Sequence, residues 1–269
     1  MTDFPQRIVS LQPSVTSTIA ALGQLDRIVA CTKYCVDVCP EVAERDCMIV
    51  ADSWTAQSEQ IRAARPELVI ASVPYQEKAV TEILKTGARF LGFAPKSLTD
   101  IYGDIALLAN LVGQAHRGQE LIASMQEEID SVRHDTAGAN KPTVFCEEWG
   151  KPLIASQPWI AELVEAAGGR FVGAPAAHTT IDEIASANPE VIVAAWCGAG
   201  DRVPLEKIIR DRGWTDLKAV QTKRVFCIRD EFLNTPGPTL MQGLRALAYA
   251  IHPELFAKPP GIRSLREEQ

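Results

Sequence analysis

The sequence predicts an α/β fold built from two similar lobes, and two internal repeats indicate it. Residues 8–23 (IVSLQPSVTSTIAALG) and 153–168 (LIASQPWIAELVEAAG) both have the pattern of a strand, a Gln-Pro turn, an amphipathic helix and a final glycine. Residues 58–75 and 180–198 both have the pattern of a helix that ends at a proline and is followed by a continuous apolar strand. Because such strands are typical of parallel sheets covered on both faces, we expect two tandem α/β lobes.

A long helical segment separates the two lobes. Residues 97–135 are helical in pattern almost throughout, with Ser97 or Thr99 as the cap and Gly113 as a break or kink. A helix between two lobes favours limited hinge motion. The predicted domain boundaries are 1–96 for the N-terminal α/β lobe, 97–137 for the bridging helix and 138–269 for the C-terminal α/β lobe.

Composition and charge argue against several classes of protein. The chain has 269 residues, 46% of them hydrophobic, and its net charge of −7 disfavours binding to nucleic acid. No apolar run is long enough to predict a membrane span. The opening residues, MTDFPQRIVSLQPS, lack the pattern of a secretion signal, and the seven cysteines fit a reducing compartment. We therefore expect a cytoplasmic monomer, with a periplasmic or lipid-anchored location as the alternative if the chain is a trimmed mature form.

The predicted ligand site lies where the strands end. In open α/β sheets, ligands bind at the carboxyl ends of the strands, which places the expected site in the cleft between the lobes. Four of the five tryptophans follow predicted strands, and their broad apolar faces suit a large flat ligand. The candidate ligand-binding residues are Gln12, Pro13, Ser14, Tyr34, Cys35, Trp54, Tyr75, Glu148, Trp149, Trp159, Trp196, Cys197, Phe232 and Asn234.

The residues give weaker signals for a metal site and for catalysis. Cys35 with Cys197 is a candidate pair of metal ligands, with Cys146 as an alternative partner, although the CxxC spacing of structural zinc sites is absent. The sequence has no GxSxG elbow, Walker loop or HExxH motif, so no catalytic residue is assigned and no enzyme is predicted. Glu147 and Glu148 are adjacent in a predicted strand and point to opposite faces, so one of them at most faces a ligand.

An ordered series of motifs runs through the chain. It comprises RIVSLQPSVTSTIAALG, YCVDVCP, PEVIVAAWCG and RVFCIRDEFLNTPGP. Together these motifs resemble the cobalamin-binding protein family, in the branch commonly encoded without a signal peptide. That family is related to the substrate-binding proteins of vitamin B12 and iron–siderophore ABC importers. The resemblance implies two Rossmann-like lobes with parallel sheets, a long bridging helix and a corrinoid or other metal chelate in an aromatic-lined cleft.

The resemblance also implies roles for particular residues. At the ligand it places Glu148-Trp149, Trp159, Cys197-Gly198, Cys35 and the segment Phe232–Pro238. Three positions depart from the family pattern: Lys33 stands where relatives often have a histidine, and Thr235 and Thr239 stand where arginines are expected. The lost histidine weakens ligation to cobalt, and the lost arginines weaken anion recognition. A corrinoid is thus implied by the resemblance rather than required by these residues.

The predicted function is non-catalytic binding of a large metal chelate, first of all a corrinoid such as cobalamin, held as a ligand and not as a required cofactor. Metal-ion binding or a metallochaperone role through cleft cysteines and glutamates stays open, as does haem or siderophore binding for an ABC importer. An enzyme that acts on a chelate or cofactor precursor is a third hypothesis. In importer relatives, an acidic residue on each lobe docks the permease, which implies Glu77 with Glu206 or Asp201 here.

Overall fold

Two α/β units make up the chain in the computed structural model, which describes residues 4–72 and 76–267. Unit 1 comprises Met1–Ser124 and Pro236–Pro238, and unit 2 comprises Met125–Thr235 and Thr239–Gln269. The predicted α/β fold class is confirmed. The boundary between the two units falls between Ser124 and Met125, inside a helix. The sequence predicts instead a separate bridging segment at 97–137, and the predicted domain boundaries stay a prediction.

Unit 1 is built on a five-stranded parallel sheet. Its strands are β1 (Ile8–Ser10), β2 (Ile28–Thr32), β3 (Met48–Val50), β4 (Leu68–Ser72) and β5 (Arg89–Phe93), in the spatial order β3-β2-β1-β4-β5. Its helices are α1 (Pro13–Ala21), α2 (Lys33–Val38), α3 (Ser58–Ala63), α4 (Glu77–Leu84) and α5 (Leu98–Leu111), with 3₁₀ turns at Leu25–Arg27 and Pro40–Glu44. Because the strand pairs are parallel, the carboxyl ends of these strands share one edge of the sheet.

The central strands β1 and β4 are buried on both faces, as the continuous apolar pattern predicts. Along β4, Leu68 and Ile70 belong to one apolar cluster. Val69 and Ala71, which point the other way, belong to a second cluster. The strand therefore has helices over both of its faces, as parallel strands of α/β proteins do.

Unit 2 is built on a six-stranded mixed sheet. Its strands are β6 (Thr143–Gly150), β7 (Leu153–Ala155), β8 (Arg170–Phe171), β9 (Val191–Ala194), β10 (Val225–Ile228) and β11 (Ile262–Ser264), in the order β11-β10-β9-β6-β7, with β8 paired to β6. Its helices are the C-terminal part of α6 (Ala115–Thr136), then α7 (Pro158–Ala166), α8 (Ile181–Ala187), α9 (Leu205–Arg212), α10 (Lys218–Gln221), α11 (Asp230–Leu233) and α12 (Leu240–Ile251), before a final 3₁₀ turn at Leu265–Glu267.

Two strands of unit 2 depart from the predicted parallel arrangement. β7 pairs antiparallel with β6, and β11 pairs antiparallel with β10, whereas β8, β6, β9 and β10 are parallel neighbours. The turn between β6 and β7 consists of Lys151 and Pro152, and so short a connection joins antiparallel strands. The first sequence repeat therefore aligns the central strand β1 with the outer strand β7.

The prolines and glycines of that repeat mark the starts and ends of its two helices, as predicted. α1 begins at Pro13 and α7 begins at Pro158, at the helical position where a missing N–H costs no intrahelical hydrogen bond. Gly23 and Gly168 follow the two helices with φ values of 70° and 77°, which L-residues with a side chain rarely adopt.

The predicted bridging helix consists of two helices. The Ser97 side chain caps α5 by accepting a hydrogen bond from the Asp100 backbone N–H. α5 ends before Gly113, whose φ is 71°, and α6 begins two residues later. The predicted break at Gly113 is therefore confirmed. Within residues 4–72 and 76–267, no helix combines the length and apolarity needed to cross a bilayer.

Candidate ligand-binding site

A hydrogen-bonded group of four polar side chains lies at the carboxyl edge of the unit 2 sheet. Gln157 Nε2 donates to Glu148 Oε2 at 2.7 Å, and Cys197 Sγ lies 3.8 Å from Glu148 Oε1. Asn234 Nδ2 donates to Cys197 Sγ at 3.2 Å and to the backbone oxygen of Ala195 at 2.8 Å. We call Glu148, Gln157, Cys197 and Asn234 the Glu148 cluster. Three of its members are sequence-predicted site residues, and Gln157 belongs to the predicted Gln-Pro turn.

The environment of the Glu148 cluster favours neutral groups. Burial raises the pKa of the Glu148 carboxyl, while the hydrogen bonds from Gln157 and Cys197 lower it in part. Desolvation of the sulfur and the carboxyl groups of Glu148 and Asp230 raise the pKa of the Cys197 thiol. A thiol with a raised pKa is a poor metal ligand, because the thiolate is the form that binds metal.

An acceptor of the cluster is left without a partner. Asn234 Oδ1 is buried and has no hydrogen-bond donor within the described part of the chain. The amide orientation is set by its Nδ2, which donates to the Ala195 backbone oxygen. A buried acceptor without a donor costs free energy, so this oxygen is a polar position that the described protein groups leave unsatisfied.

Trp149 presents an exposed indole at the carboxyl end of β6. The residue follows Glu148 in β6, and 44% of its surface is exposed. Its Nε1 donates to the backbone oxygen of Lys151 at 3.0 Å, which fixes the orientation of the ring. An oriented, exposed indole offers a flat apolar surface to a ligand.

The other two predicted tryptophans of unit 2 are packed into the protein. Trp159 is 4% exposed, and its Nε1 donates to the backbone oxygen of Leu233 at 3.0 Å. Trp196 is half-buried against the apolar core, and its Nε1 donates to Glu147 Oε1 at 2.7 Å. Both rings support the residues at the sheet edge, so their predicted role as direct ligand contacts stays untested.

Glu147 and Arg212 form a buried ion pair beneath this edge. Arg212 Nη1 and Nη2 each donate to a carboxylate oxygen of Glu147 at 2.7 Å, and the two side chains are 9% and 0% exposed. The strand alternation therefore points Glu147 into the interior and Glu148 toward the edge. Sequence reasoning missed Arg212, since it lies in α9, far along the chain, with no local motif that marks it.

Asp230 organises the loop that follows β9. Its two carboxylate oxygens accept hydrogen bonds from the backbone N–H groups of Gly198 and Gly200, at 2.8 and 2.6 Å. Burial raises the pKa of Asp230, and these two hydrogen bonds oppose the shift. Sequence reasoning did not select Asp230 as a site residue, although the Gly-Ala-Gly run after β9 is the signal for a tight loop.

The predicted residue Phe232 is half-buried, and its ring centre lies 5.9 Å from the Arg229 guanidinium.

The carboxyl edge of the unit 1 sheet is tied together by Gln12. Its Nε2 donates to Ser53 Oγ and to the backbone oxygen of Ser72, at 2.9 Å each, and so connects the ends of β1, β3 and β4. Pro13 begins α1, and Ser14 is buried with its carbonyl bound to a side-chain hydroxyl one turn later. Gln12 and Ser14, both predicted as ligand contacts, therefore stabilise the edge of the sheet and the first turn of α1. Their predicted contact with a ligand stays a prediction.

Two aromatic residues are exposed at this edge of unit 1. Tyr34 is 37% exposed at the start of α2, with the Lys33 ammonium 4.8 Å from its ring centre. Trp54 is 49% exposed in a turn whose backbone N–H groups are bound by Asp52. Tyr75, the third predicted aromatic of this unit, lies outside the described residues.

The predicted metal ligands Cys35 and Cys197 belong to different units. Cys35 has no exposed surface, and its thiol lies 3.3 Å from Thr32 Oγ1. Over 4–72 and 76–267, no group of three or more His, Cys, Asp or Glu side chains is arranged to hold a metal ion. The raised pKa of Cys197 adds to this, so a metal site on Cys35 and Cys197 receives no support.

Comparison with known proteins places the chain in a family. A family model described as periplasmic binding protein matches residues 8–232. The chain belongs to the periplasmic binding protein family. The predicted relationship to substrate-binding proteins of importers is thereby confirmed, and members of this family are binding proteins.

Curated relatives match over 70–87% of their own length. An uncharacterized ABC transporter substrate-binding lipoprotein of Bacillus subtilis is 24% identical over 94% of this chain and 82% of its own length. A vitamin B12-binding protein of Vibrio cholerae is 25% identical over 90% of this chain and 87% of its own length. A cobalamin-binding protein of Halobacterium salinarum is 22% identical over 92% of this chain and 70% of its own length.

Solved structures share the fold. A periplasmic heme-binding protein from Pseudomonas aeruginosa superposes with a TM-score of 0.85, with 17% identity, over 97% of this chain and 98% of that one. The periplasmic vitamin B12-binding protein of Vibrio cholerae superposes with a TM-score of 0.73, with 22% identity, over 92% and 96%. At these identities the structures establish the fold and leave the ligand open.

Proposed function

We propose that this chain is a non-catalytic binding protein for a corrinoid such as cobalamin. The observation that carries the proposal is the exposed, oriented indole of Trp149, the residue after Glu148 in β6, at the sheet edge where α/β proteins bind ligands. A corrinoid is a broad, flat macrocycle with amide groups around its rim. The relatives named as vitamin B12-binding and cobalamin-binding proteins support the same ligand class.

The chemistry of the Glu148 cluster matches amide substituents. The unpartnered Asn234 Oδ1 can accept a hydrogen bond from an amide N–H. The raised pKa of Glu148 extends the pH range in which its carboxyl keeps a proton, and a protonated carboxyl can donate to an amide oxygen. An anionic ligand group gains less here, since the cluster contains no cation.

A titration with three ligands tests this proposal. Purified protein is titrated with cyanocobalamin, with haemin and with a ferric siderophore, and tryptophan fluorescence and the visible spectrum of the ligand are recorded. We expect saturable quenching and a shifted visible spectrum with cyanocobalamin. If neither changes at ligand concentrations on the order of tens of micromolar, the corrinoid proposal is wrong.

Haem is the second candidate ligand, and one residue favours it. Tyr34 carries a phenol that is 37% exposed at the carboxyl edge of the unit 1 sheet, and tyrosine can hold haem iron. The fold shared with a periplasmic heme-binding protein is compatible with this reading. Tyr34→Phe would then abolish a haemin-induced Soret shift, while cyanocobalamin binding would persist.

The proposed role requires no catalysis, and we propose an ABC importer as its partner. Glu77 begins α4 and Glu206 lies in the first turn of α9, and both side chains are exposed. We propose that these two acidic residues contact the permease. Glu77→Arg with Glu206→Arg should abolish stimulation of importer ATPase activity while cobalamin binding stays intact, and Glu59→Arg on α3 is the control. Equal stimulation by all variants would exclude this contact.

The expected monomeric state of the protein stays a prediction.

The comparisons give no support to a cytoplasmic location. The relatives and structures described above include proteins named as periplasmic and as a lipoprotein. We propose that the chain acts outside the cytoplasm, either in the periplasm or attached to a membrane by a lipid anchor. Fractionation of producing cells checks this, and recovery of the protein with cytoplasmic markers alone would contradict it.

A further inference from the structure

We propose that Cys31 and Cys47 form a reversible disulfide by exchange with a low-molecular-weight disulfide such as oxidised glutathione. The two sulfur atoms lie 3.6 Å apart. Cys31 is in β2 and Cys47 directly precedes β3, and these strands pair in parallel with Cys31 opposite Ile49. A disulfide bond is about 2.0 Å long, so the two sulfurs must approach each other by about 1.6 Å for the bond to form. This modification is independent of the ligand proposed above.

Accessibility gives the two thiols different roles. Cys31 is fully buried, whereas Cys47 is half-buried and open to a small reagent. The hydrogen bond with Cys31 lowers the pKa of the Cys47 thiol, although burial opposes the shift. Hydrogen bonds with Cys35 and Cys47 raise the pKa of Cys31. Cys47 is therefore the attacking thiol, since thiolate fraction and access govern the rate of exchange.

The exchange proceeds in two balanced steps. The Cys47 thiolate attacks one sulfur of the oxidised reagent, which forms a mixed disulfide and releases one reagent thiolate. The Cys31 sulfur then attacks Cys47 Sγ, breaks the mixed disulfide and releases a second reagent thiol, which takes the Cys31 proton. Two protein thiols are oxidised and one reagent disulfide is reduced to two thiols.

Neighbouring cysteines are less suited to this reaction. The Cys35 thiol also hydrogen-bonds to Cys31, but it has no exposed surface for a reagent to reach. It lies 3.3 Å from Thr32 Oγ1 and 3.8 Å from the Ser10 backbone oxygen. Cys39 Sγ is bound to Glu41 Oε2 at 3.3 Å rather than to another sulfur. A Cys31–Cys47 bond would close a loop over 32–46, the segment that holds α2 and the 3₁₀ turn Pro40–Glu44.

Mass-spectrometric mapping of the full chain tests the proposal. Reduced protein is incubated with oxidised glutathione, denatured, alkylated and digested without reduction. We expect a peptide pair joined through Cys31 and Cys47, loss of two of the seven free thiols, and a melting temperature about 5 °C above that of the reduced protein. Reduction should reverse both changes. A bond between any other pair, or no protected thiol, would overturn the proposal.

Three variants separate attack from resolution. Cys31→Ala should trap one glutathione on Cys47, because no thiol is left to resolve the mixed disulfide. Cys47→Ala should form neither the mixed disulfide nor the intramolecular bond. Cys39→Ala lies in the same segment and is the matched control, which should oxidise as the unmodified chain does. If Cys47→Ala oxidises like the control, or if Cys31→Ala takes up no glutathione while it remains folded by circular dichroism, the assignment of roles is wrong.

Discussion

Replacing Arg212 with methionine leaves the Glu147 carboxylate buried without its cation. The bidentate pair has two 2.7 Å hydrogen bonds, and neither side chain is more than 9% exposed. Removal of one partner from a buried ion pair costs about 3–5 kcal/mol. Trp196 Nε1 still donates to Glu147 at 2.7 Å, which offsets a part of the loss. We therefore expect Arg212→Met to lower the free energy of unfolding by about 3 kcal/mol.

Arg210→Met on the same helix is the matched control. Arg210 pairs with Asp211 at the surface, where the side chains are 73% and 50% exposed, and such a pair contributes about 0–1 kcal/mol. Urea unfolding of both variants is followed by far-UV circular dichroism, with separate transitions fitted if the two units unfold independently. Adding Glu147→Gln to Arg212→Met should recover part of the loss, since the buried group is then neutral. Equal stability of Arg212→Met and Arg210→Met would refute the reasoning.

Three further predictions concern other residues. Gly150→Ala should cost about 1–3 kcal/mol, because its Cβ would lie 2.3 Å from the Trp196 ring, whereas Gly103→Ala on α5 has open space; equal unfolding midpoints would contradict this. Burial raises the pKa of Asp104 to about 6 from an ordinary value of 3.8. The folded protein therefore binds this proton more tightly than the unfolded chain does. The resulting stabilisation is complete below pH 3.8 and is lost as the pH rises through 6. At pH 7, Asp104→Asn should therefore be more stable than the unmodified chain by about 1 kcal/mol after allowance for solvent screening, with no such gain at pH 3.5. A gain that does not depend on pH would reject this assignment. Trp159→Phe removes a buried 3.0 Å hydrogen bond and should lower the unfolding free energy by about 1–3 kcal/mol, as measured by urea titration; an unchanged midpoint would show that the bond contributes nothing.

The main elements of the fold could be predicted from local sequence patterns. Pro13 and Pro158 mark helix starts, and Gly113 marks the break between α5 and α6, because each acts through its own backbone geometry. The antiparallel direction of β7 was not predicted, since a strand of three residues carries no signal for the direction of its partner.

The site could be predicted in part. Alternation along β6 indicated that one of two adjacent glutamates faces inward, but the choice of Glu147 depends on Arg212, 65 residues later in the chain. Trp159 follows a strand, as a ligand contact would, yet it is buried, and its Nε1 binds the backbone oxygen of Leu233 in a distant helix. Such pairings depend on tertiary structure, and a single sequence does not specify them.

The most direct test of the central claim is calorimetric titration of cyanocobalamin into the unmodified chain, Trp149→Ala and Leu255→Ala. Both replaced side chains are exposed in unit 2, at 44% and 49%, and Trp149 alone of the two lies at the carboxyl edge of the sheet. We predict that Trp149→Ala weakens binding by roughly tenfold or more, whereas Leu255→Ala binds like the unmodified chain. Unchanged affinity in Trp149→Ala, or an equal loss in both variants, would contradict the claim that this edge holds a corrinoid.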